Sequence, residues 1–266
     1  MSECRSLVAI IGGTGLNDFQ QGRVAGERQT PFGETSADII VSAVADQPLA
    51  FLARHGRPHS ISPHKINYRA NLWALKQLGV EQVIAVNAVG GIHTDLPAGS
   101  IVIPDQLIDY TYGREHTFFD GGRASLEHID FTYPFTESLR GQLVNAAHHS
   151  GITVVDTAVY GAVQGPRLET VAEVNRLEKD GCDIIGMTAM PEAALARELS
   201  MDYASLCLVV NPAAGRSEIL ITMTDIHAVI DTGMIKVRKL LTAMILEKAV
   251  DTQSTRCTRG AGPRFR

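Results

Sequence analysis

Five short stretches combine glycines with residue types able to hold an anion or a polar ring. Gly12-Gly13-Thr14-Gly15 follows an apolar run, residues 7–11. Its backbone N–H groups and the Thr14 hydroxyl can converge on an anion as a nest does, or the same residues can close a tight turn. No Gly-Lys-Ser/Thr follows, so it is not a P-loop, and Asp18 stands where a dinucleotide fingerprint needs its third glycine. Arg54-His55-Gly56 ends a second apolar run, residues 49–53, at the kind of strand end where open α/β sheets place ligands. A guanidinium fork there suits phosphate, although a surface salt bridge is the plainer use. His55, His59 and His64 raise the question of a metal, but Gly56, Pro58 and Pro63 forbid the helix that would align them, so a metal is the weaker reading.

Asn87-Ala88-Val89-Gly90-Gly91, Gly186-Met187-Thr188 and Asn211-Pro212-Ala213-Ala214-Gly215 end three further apolar runs. An ordinary turn accounts for any one of them; accounting for all five strand ends that way requires five independent coincidences, and one shared polar cleft requires none. Gln164-Gly165-Pro166-Arg167-Leu168-Glu169 precedes a helical pattern, with Glu169 near its first turn, where an acid is favoured by the helix dipole alone.

The elements that must position these residues alternate along the chain. Residues 7–11, 49–53, 82–86, 100–103, 153–159, 183–187 and 204–210 read as strands, several of them apolar at consecutive positions as in a sheet covered on both faces. Residues 66–78, 137–149, 168–179 and 192–199 carry helical periodicity. A long helix begins near Thr224, with Ile226, Val229, Ile230, Val237, Leu240, Leu241 and Met244 on one stripe. The expected class is α/β, a single domain over residues 1–250 followed by a disordered basic tail, residues 251–266. The aperiodic segment 110–135, rich in aromatics, glycine and charge, reads as an excursion toward a ligand or a neighbouring subunit.

With 266 residues, 45% apolar and 20% charged, the chain can bury a sizeable core and is not of disordered composition. No apolar run approaches the roughly 18 residues of a membrane span, and residues 7–11 are too short for the core of a signal peptide. A net charge of −5 argues against a nucleic-acid partner, so any anion must be held locally. Cys4, Cys182, Cys207 and Cys257 form no C-x-x-C pair, which suits reduced thiols in the cytosol.

Taken together, Gly12 to Gly15, Arg54-His55, Asn87 to Gly91, Gly165-Pro166-Arg167, Met187-Thr188 and Pro191-Glu192 resemble the trimeric purine nucleoside and methylthioadenosine phosphorylase family, in order from Leu7 to about Leu246. The resemblance implies one α/β domain around a mixed sheet, a cytoplasmic homotrimer with its site near a subunit interface, and no metal or organic cofactor. It also implies phosphorolysis of a nucleoside to a free purine and a pentose 1-phosphate. On its positions Thr14, Arg54, His55, the Ala88 backbone and Thr188 would hold phosphate. Met187 would pack against the ribose, Asn211 and Glu169 would be the catalytic pair, and Pro212 and Ala213 would complete the substrate wall. His128 matches a histidine that reaches into the neighbouring site.

Within that resemblance, relatives that take 6-oxopurines carry Glu and Asn at the positions of Glu169 and Asn211, and those that take methylthioadenosine carry Ser and Asp. A 6-oxopurine presents N1–H and O6, which Glu169 and the Asn211 amide can match; an aminopurine leaves both unpaired. Hypoxanthine is the expected base. Inosine-cleaving relatives meet the 5′-hydroxyl with a histidine, whereas here Met223 and Ile226 would form an apolar wall suited to a methylthio group, with His227 as hydroxyl partner if the register shifts by one. The expected reaction is therefore phosphorolysis of methylthioinosine to hypoxanthine and 5-methylthioribose 1-phosphate. An inosine/guanosine phosphorylase, a methylthioadenosine phosphorylase, a phosphate-independent hydrolase and a non-catalytic nucleoside binder remain as alternatives.

Overall fold

The computed structural model describes residues 7–12, 16, 21–44, 47–121, 126–218 and 222–258, without the side chains of Met223 and of residues 249–258. The apolar runs become β1 (Leu7–Gly12), β6 (Gln47–Ala53), β7 (Val80–Gly91) and β12 (Asp202–Pro212). These strands lie parallel, with β1 between β6 and β7 and β12 along the other side of β7. Ile10, Ile11, Phe51, Leu52, Leu206 and Leu208 are completely buried, as expected of strands covered on both faces. β5 (Ile39–Val44) runs antiparallel to β6, and β2 (Arg23–Ala25) antiparallel to β5, while β3 (Gln29–Thr30) and β4 (Gly33–Glu34) make a separate ribbon. β8 (Ile101–Val102) pairs with β12.

Past the end of β1, β7 changes neighbour. Gly90 and Gly91 pair antiparallel with β11 (Ile184–Gly186), and β10 (Val159–Ala162) and β9 (Gln106–Asp109) extend the sheet from there in parallel. A Cβ at Gly91 would lie 2.4 Å from the Leu96 carbonyl oxygen, so this crossing tolerates no side chain. The mixed α/β fold is completed by α1 (Tyr68–Gln77), α2 (Glu137–His149), α3 (Val171–Lys179), α4 (Ala189–Glu198) and α5 (Met223–Thr258), with α5 against α2 and β12, and α1 against α4. Among the described residues no helix is long and apolar enough to cross a membrane.

Several expected boundaries move. Asn87 to Gly91 is not a turn after a strand but part of β7, because Asn87 to Val89 stay paired with Cys207 to Val209. The strand expected over 153–159 starts only at Val159; Val155 makes a single bridge to Val102, which β12 already occupies on its other side. α3 begins after Thr170, whose hydroxyl and the Glu173 carboxylate form a reciprocal cap. Glu169 thus precedes the helix, and the acid of the first turn is Glu173. The backbone of α5 continues to Thr258, past the domain boundary expected at 250, and residues 259–266 lie outside the described residues. Segment 110–121 has no helix or strand, yet it is anchored to its own chain. Arg69 of α1 pairs with Glu115 (2.6 Å) and Asp120 (3.0 Å), and Glu198 of α4 accepts from Thr117 Oγ1 and Phe118 N, both at 2.7 Å.

Candidate active site

β1, β6, β7 and β12 are parallel, so their carboxyl ends gather at one edge of the sheet. β11 runs the other way and delivers Met187 and Thr188 beside Ala88 and Asn87. The Thr188 hydroxyl donates to Asn87 Oδ1 (2.8 Å), the Asn87 amide donates to Ser205 Oγ (2.7 Å), and Ser205 Oγ lies 3.2 Å from Cys207 Sγ. This buried chain fixes the Thr188 side chain from beneath, so to donate to an anion its proton must turn away from Asn87.

Arg54 follows β6 directly and is 1% exposed. Its fork is not free: Nε and Nη2 donate to the two carboxylate oxygens of Glu192 at 2.8 and 2.9 Å, Nη1 donates to the Val86 carbonyl (3.0 Å) and Nη2 to that of Ile11 (3.3 Å). Glu192, wholly buried in α4, also accepts from Tyr203 Oη at 2.9 Å. The bidentate partner of the Arg54 fork is thus Glu192, and among the described residues one Nη1 hydrogen has no protein acceptor. Burial disfavours the guanidinium charge, but the attraction of Glu192 outweighs it and holds the group protonated.

The next residue behaves differently. His55 Nδ1 lies 2.8 Å from the Ile61 carbonyl, which can only accept, so this nitrogen carries the proton and Nε2 presents a lone pair. Burial, then the Arg54 charge, lowers its pKa to about 4, and the ring is neutral at pH 7. Such a ring accepts from a protonated phosphate oxygen rather than adding charge. The ring of His59 stacks on it, centroids 4.2 Å apart.

On the opposite wall, Met187 presses on the segment after β10: a Cβ at Gly165, where φ is +58°, would stand 2.4 Å from Met187 Sδ. The turn after β12 rests on α3. Arg216 donates to Asn175 Oδ1 (3.0 Å) and Glu178 Oε2 (2.8 Å), and buried Ala213 packs with Val174 and Leu177. Asn211 and Pro212, both half-buried, and Glu169 therefore occupy adjoining segments. Burial raises the Glu169 pKa, and Asn211 Nδ2 donates to the neighbouring Pro212 carbonyl at 2.7 Å.

Other expected residues are placed less directly. Thr14 lies outside the described residues, as does the Met223 side chain. Ile226 sits in the first turns of α5, half-buried against the main core, and His227 and His128 are exposed. Arg114, Ser205 and Tyr203 carry no role in the sequence reading, and Asn87 and Glu192 enter it only as parts of motifs. The partners that tie them into the site, such as Ser205 for Asn87, lie in other elements, so no local spacing signals them.

A mixed sheet in which the ends of β6, β11 and β12 bring Arg54, His55, Thr188 and Asn211 to the edge where Ala88 of β7 lies defines an α/β enzyme of the nucleoside phosphorylase type. The chain belongs to the phosphorylase superfamily, whose model matches residues 7–246. A Pseudomonas syringae pv. tomato protein named probable S-methyl-5′-thioinosine phosphorylase is 52% identical over 90% of this chain and 98% of its own length. The 6-oxopurine nucleoside phosphorylase of Pyrococcus furiosus is 43% identical over 90% of this chain and 91% of its own. In structure, the methylthioadenosine phosphorylase of Schistosoma mansoni in complex with adenine is similar with a TM-score of 0.85, at 33% identity and 92% coverage of both chains.

Proposed function

We propose that this chain cleaves S-methyl-5′-thioinosine with inorganic phosphate, giving hypoxanthine and 5-methylthioribose 1-phosphate in purine salvage. The observation that carries the base preference is the half-buried Glu169 beside the Asn211 segment, an acceptor and an amide donor matched to N1–H and O6. Relatives named for thioinosine and 6-oxopurine substrates, at 52% and 43% identity, support the same reading.

Phosphate would sit at the β6, β7 and β11 ends, held by the Ala88 backbone, the Thr188 hydroxyl, the remaining Nη1 hydrogen of Arg54 and Nε2 of His55, with Thr14 closing the site. Its oxygen attacks the anomeric carbon as the bond to the purine nitrogen breaks and the electron pair leaves with the base. Asn211 donates to the departing purine at N7 or O6, and Glu169 accepts from N1–H. Holding the nucleophile under the developing oxocarbenium and stabilising the leaving base supply the catalysis. Met187, Pro212 and Ala213 line the ribose and base, and Met223 with Ile226 lines the methylthio end. Phosphate is a co-substrate; the reading includes no metal or organic cofactor.

The reading includes a cytoplasmic homotrimer. Tyr112, Leu168 and Val171 expose large apolar side chains around the 164–171 segment, which supports a neighbouring protomer covering that side of the cleft. The test is catalytic efficiency for methylthioinosine, inosine and methylthioadenosine at fixed phosphate, and again without phosphate. Methylthioinosine should lead and turnover should require phosphate; a wide lead for methylthioadenosine would overturn the base assignment, and phosphate-independent release would make the enzyme a hydrolase.

A further inference from the structure

Arg114 lies in the aperiodic segment after β9, yet it is buried, and its guanidinium meets six uncharged acceptors. Nε donates to Gln164 Oε1 (3.1 Å), and Nη1 to the carbonyls of Met187 (2.8 Å) and Met190 (2.5 Å) and to Tyr68 Oη (3.3 Å). Nη2 donates to the carbonyls of Val163 (3.2 Å) and Gln164 (2.9 Å). Five N–H groups in one plane are shared among two chain segments and a tyrosine. A buried cation spent on carbonyls fixes backbone position more than it balances charge.

Those two segments are the ones that meet at the nucleoside side of the cleft: Gly165 comes against Met187 with no room for a Cβ. Arg114 ties both from beneath, and its own segment is in turn anchored to α1 by Arg69 and to α4 by Glu198. The phosphate side has a separate tie, since Thr188, although it lies between Met187 and Met190, is held through Asn87.

We propose that Arg114 is the positioning residue of the nucleoside half of the site, its guanidinium setting the spacing between the Met187 wall and the Gln164-Gly165 turn. This rests on the reading of Met187 as the ribose wall given above. The experiment compares full-length wild type, Arg114→Ala and Arg114→Lys for kcat and for separate KM values of nucleoside and phosphate, on whichever nucleoside the wild type cleaves best.

Arg114→Ala should lower kcat/KM for the nucleoside on the order of 100-fold, the cost of a misplaced wall, while leaving the phosphate KM near wild type. Guanidinium ion at non-denaturing concentration should recover part of the loss in Arg114→Ala and nothing in wild type. Lysine, with three N–H groups, should fall between the two; if the alanine variant does not fold, the same split in the lysine variant carries the test. An unchanged kcat/KM for the nucleoside, or a phosphate KM that rises together with the nucleoside KM, would overturn the positioning role. A wild type that prefers another nucleoside counts against the substrate reading alone, because the split is measured on the nucleoside actually cleaved.

Discussion

Replacing Glu192 by Gln removes one charge from a pair that the fold buries completely. The Arg54 and Glu192 side chains are 2% and 0% exposed, and the carboxylate takes two guanidinium hydrogens at 2.8 and 2.9 Å. A glutamine has one acceptor oxygen, so it satisfies Nε–H or Nη2–H but not both, and its own amide hydrogens face the donor left over. Arg54 cannot respond by losing its proton, since its ordinary pKa already lies above 12. The whole cost therefore falls on stability. Breaking a fully buried pair from one side costs about 3–5 kcal/mol, and at roughly 2–4 °C per kcal/mol for a large domain the melting temperature should fall by roughly 6–20 °C.

The same argument fixes the double variant. Arg54→Met with Glu192→Leu removes both charges together and leaves Tyr203 Oη without its acceptor, a loss of about 1–3 kcal/mol. It should be more stable than the sum of the two single losses by about 2 kcal/mol or more, while losing affinity for phosphate. Thermal and urea unfolding of wild type, Arg54→Met, Glu192→Leu and the double variant measures the cycle, with Glu192→Gln compared beside them. A Glu192→Gln protein that melts within the error of wild type, or a double variant whose loss equals the sum, would refute the claim that Glu192 is the counter-charge on which Arg54 depends.

Asn211→Asp should move the efficiency ratio of methylthioadenosine to methylthioinosine upward by roughly two orders of magnitude, since it exchanges a donor for an acceptor against the base; an unmoved ratio removes Asn211 from base recognition. Met223→His should raise inosine relative to methylthioinosine by roughly 10–200-fold, and no change would mean that another residue meets the 5′ group. For His55 the sign is set by its lowered pKa of about 4 against an unfolded value near 6.5. Between these values the unfolded chain binds more protons, so acidification through that window costs stability. Urea titrations at pH 7 and pH 4.5 should show a smaller acid loss in His55→Asn than in wild type, and equal losses would contradict a neutral, buried ring.

What could be read in the sequence and what could not divides along a physical line. β1, β6 and β12 announce themselves because a strand buried on both faces is apolar along nearly its whole length, and that run is visible whatever lies beside it. β5 is half-exposed along its second half and lies toward the sheet edge, and it does not stand out in the same way. The late start of α3 was readable, since Thr170 and Glu173 have the spacing of a reciprocal cap. Arg54 was found by its place at a strand end, but its fork belongs to a carboxylate 138 residues further on, and the spacing between them carries no signal.

Arg114 is the extreme case. Four of its six acceptors are main-chain carbonyls, at Val163, Gln164, Met187 and Met190, and a carbonyl is present at every position whatever the side chain. A donor such as arginine has a letter in the sequence, whereas its acceptors acquire an address only when β10 and β11 bring their ends together. A loop cation that looks solvated in sequence can therefore be a structural centre of the site, and the discriminating observation is burial without a carboxylate partner. Where that combination occurs beside a cleft, the charge orders backbone instead of binding an anion, and its loss should be read in the geometry of the wall it holds.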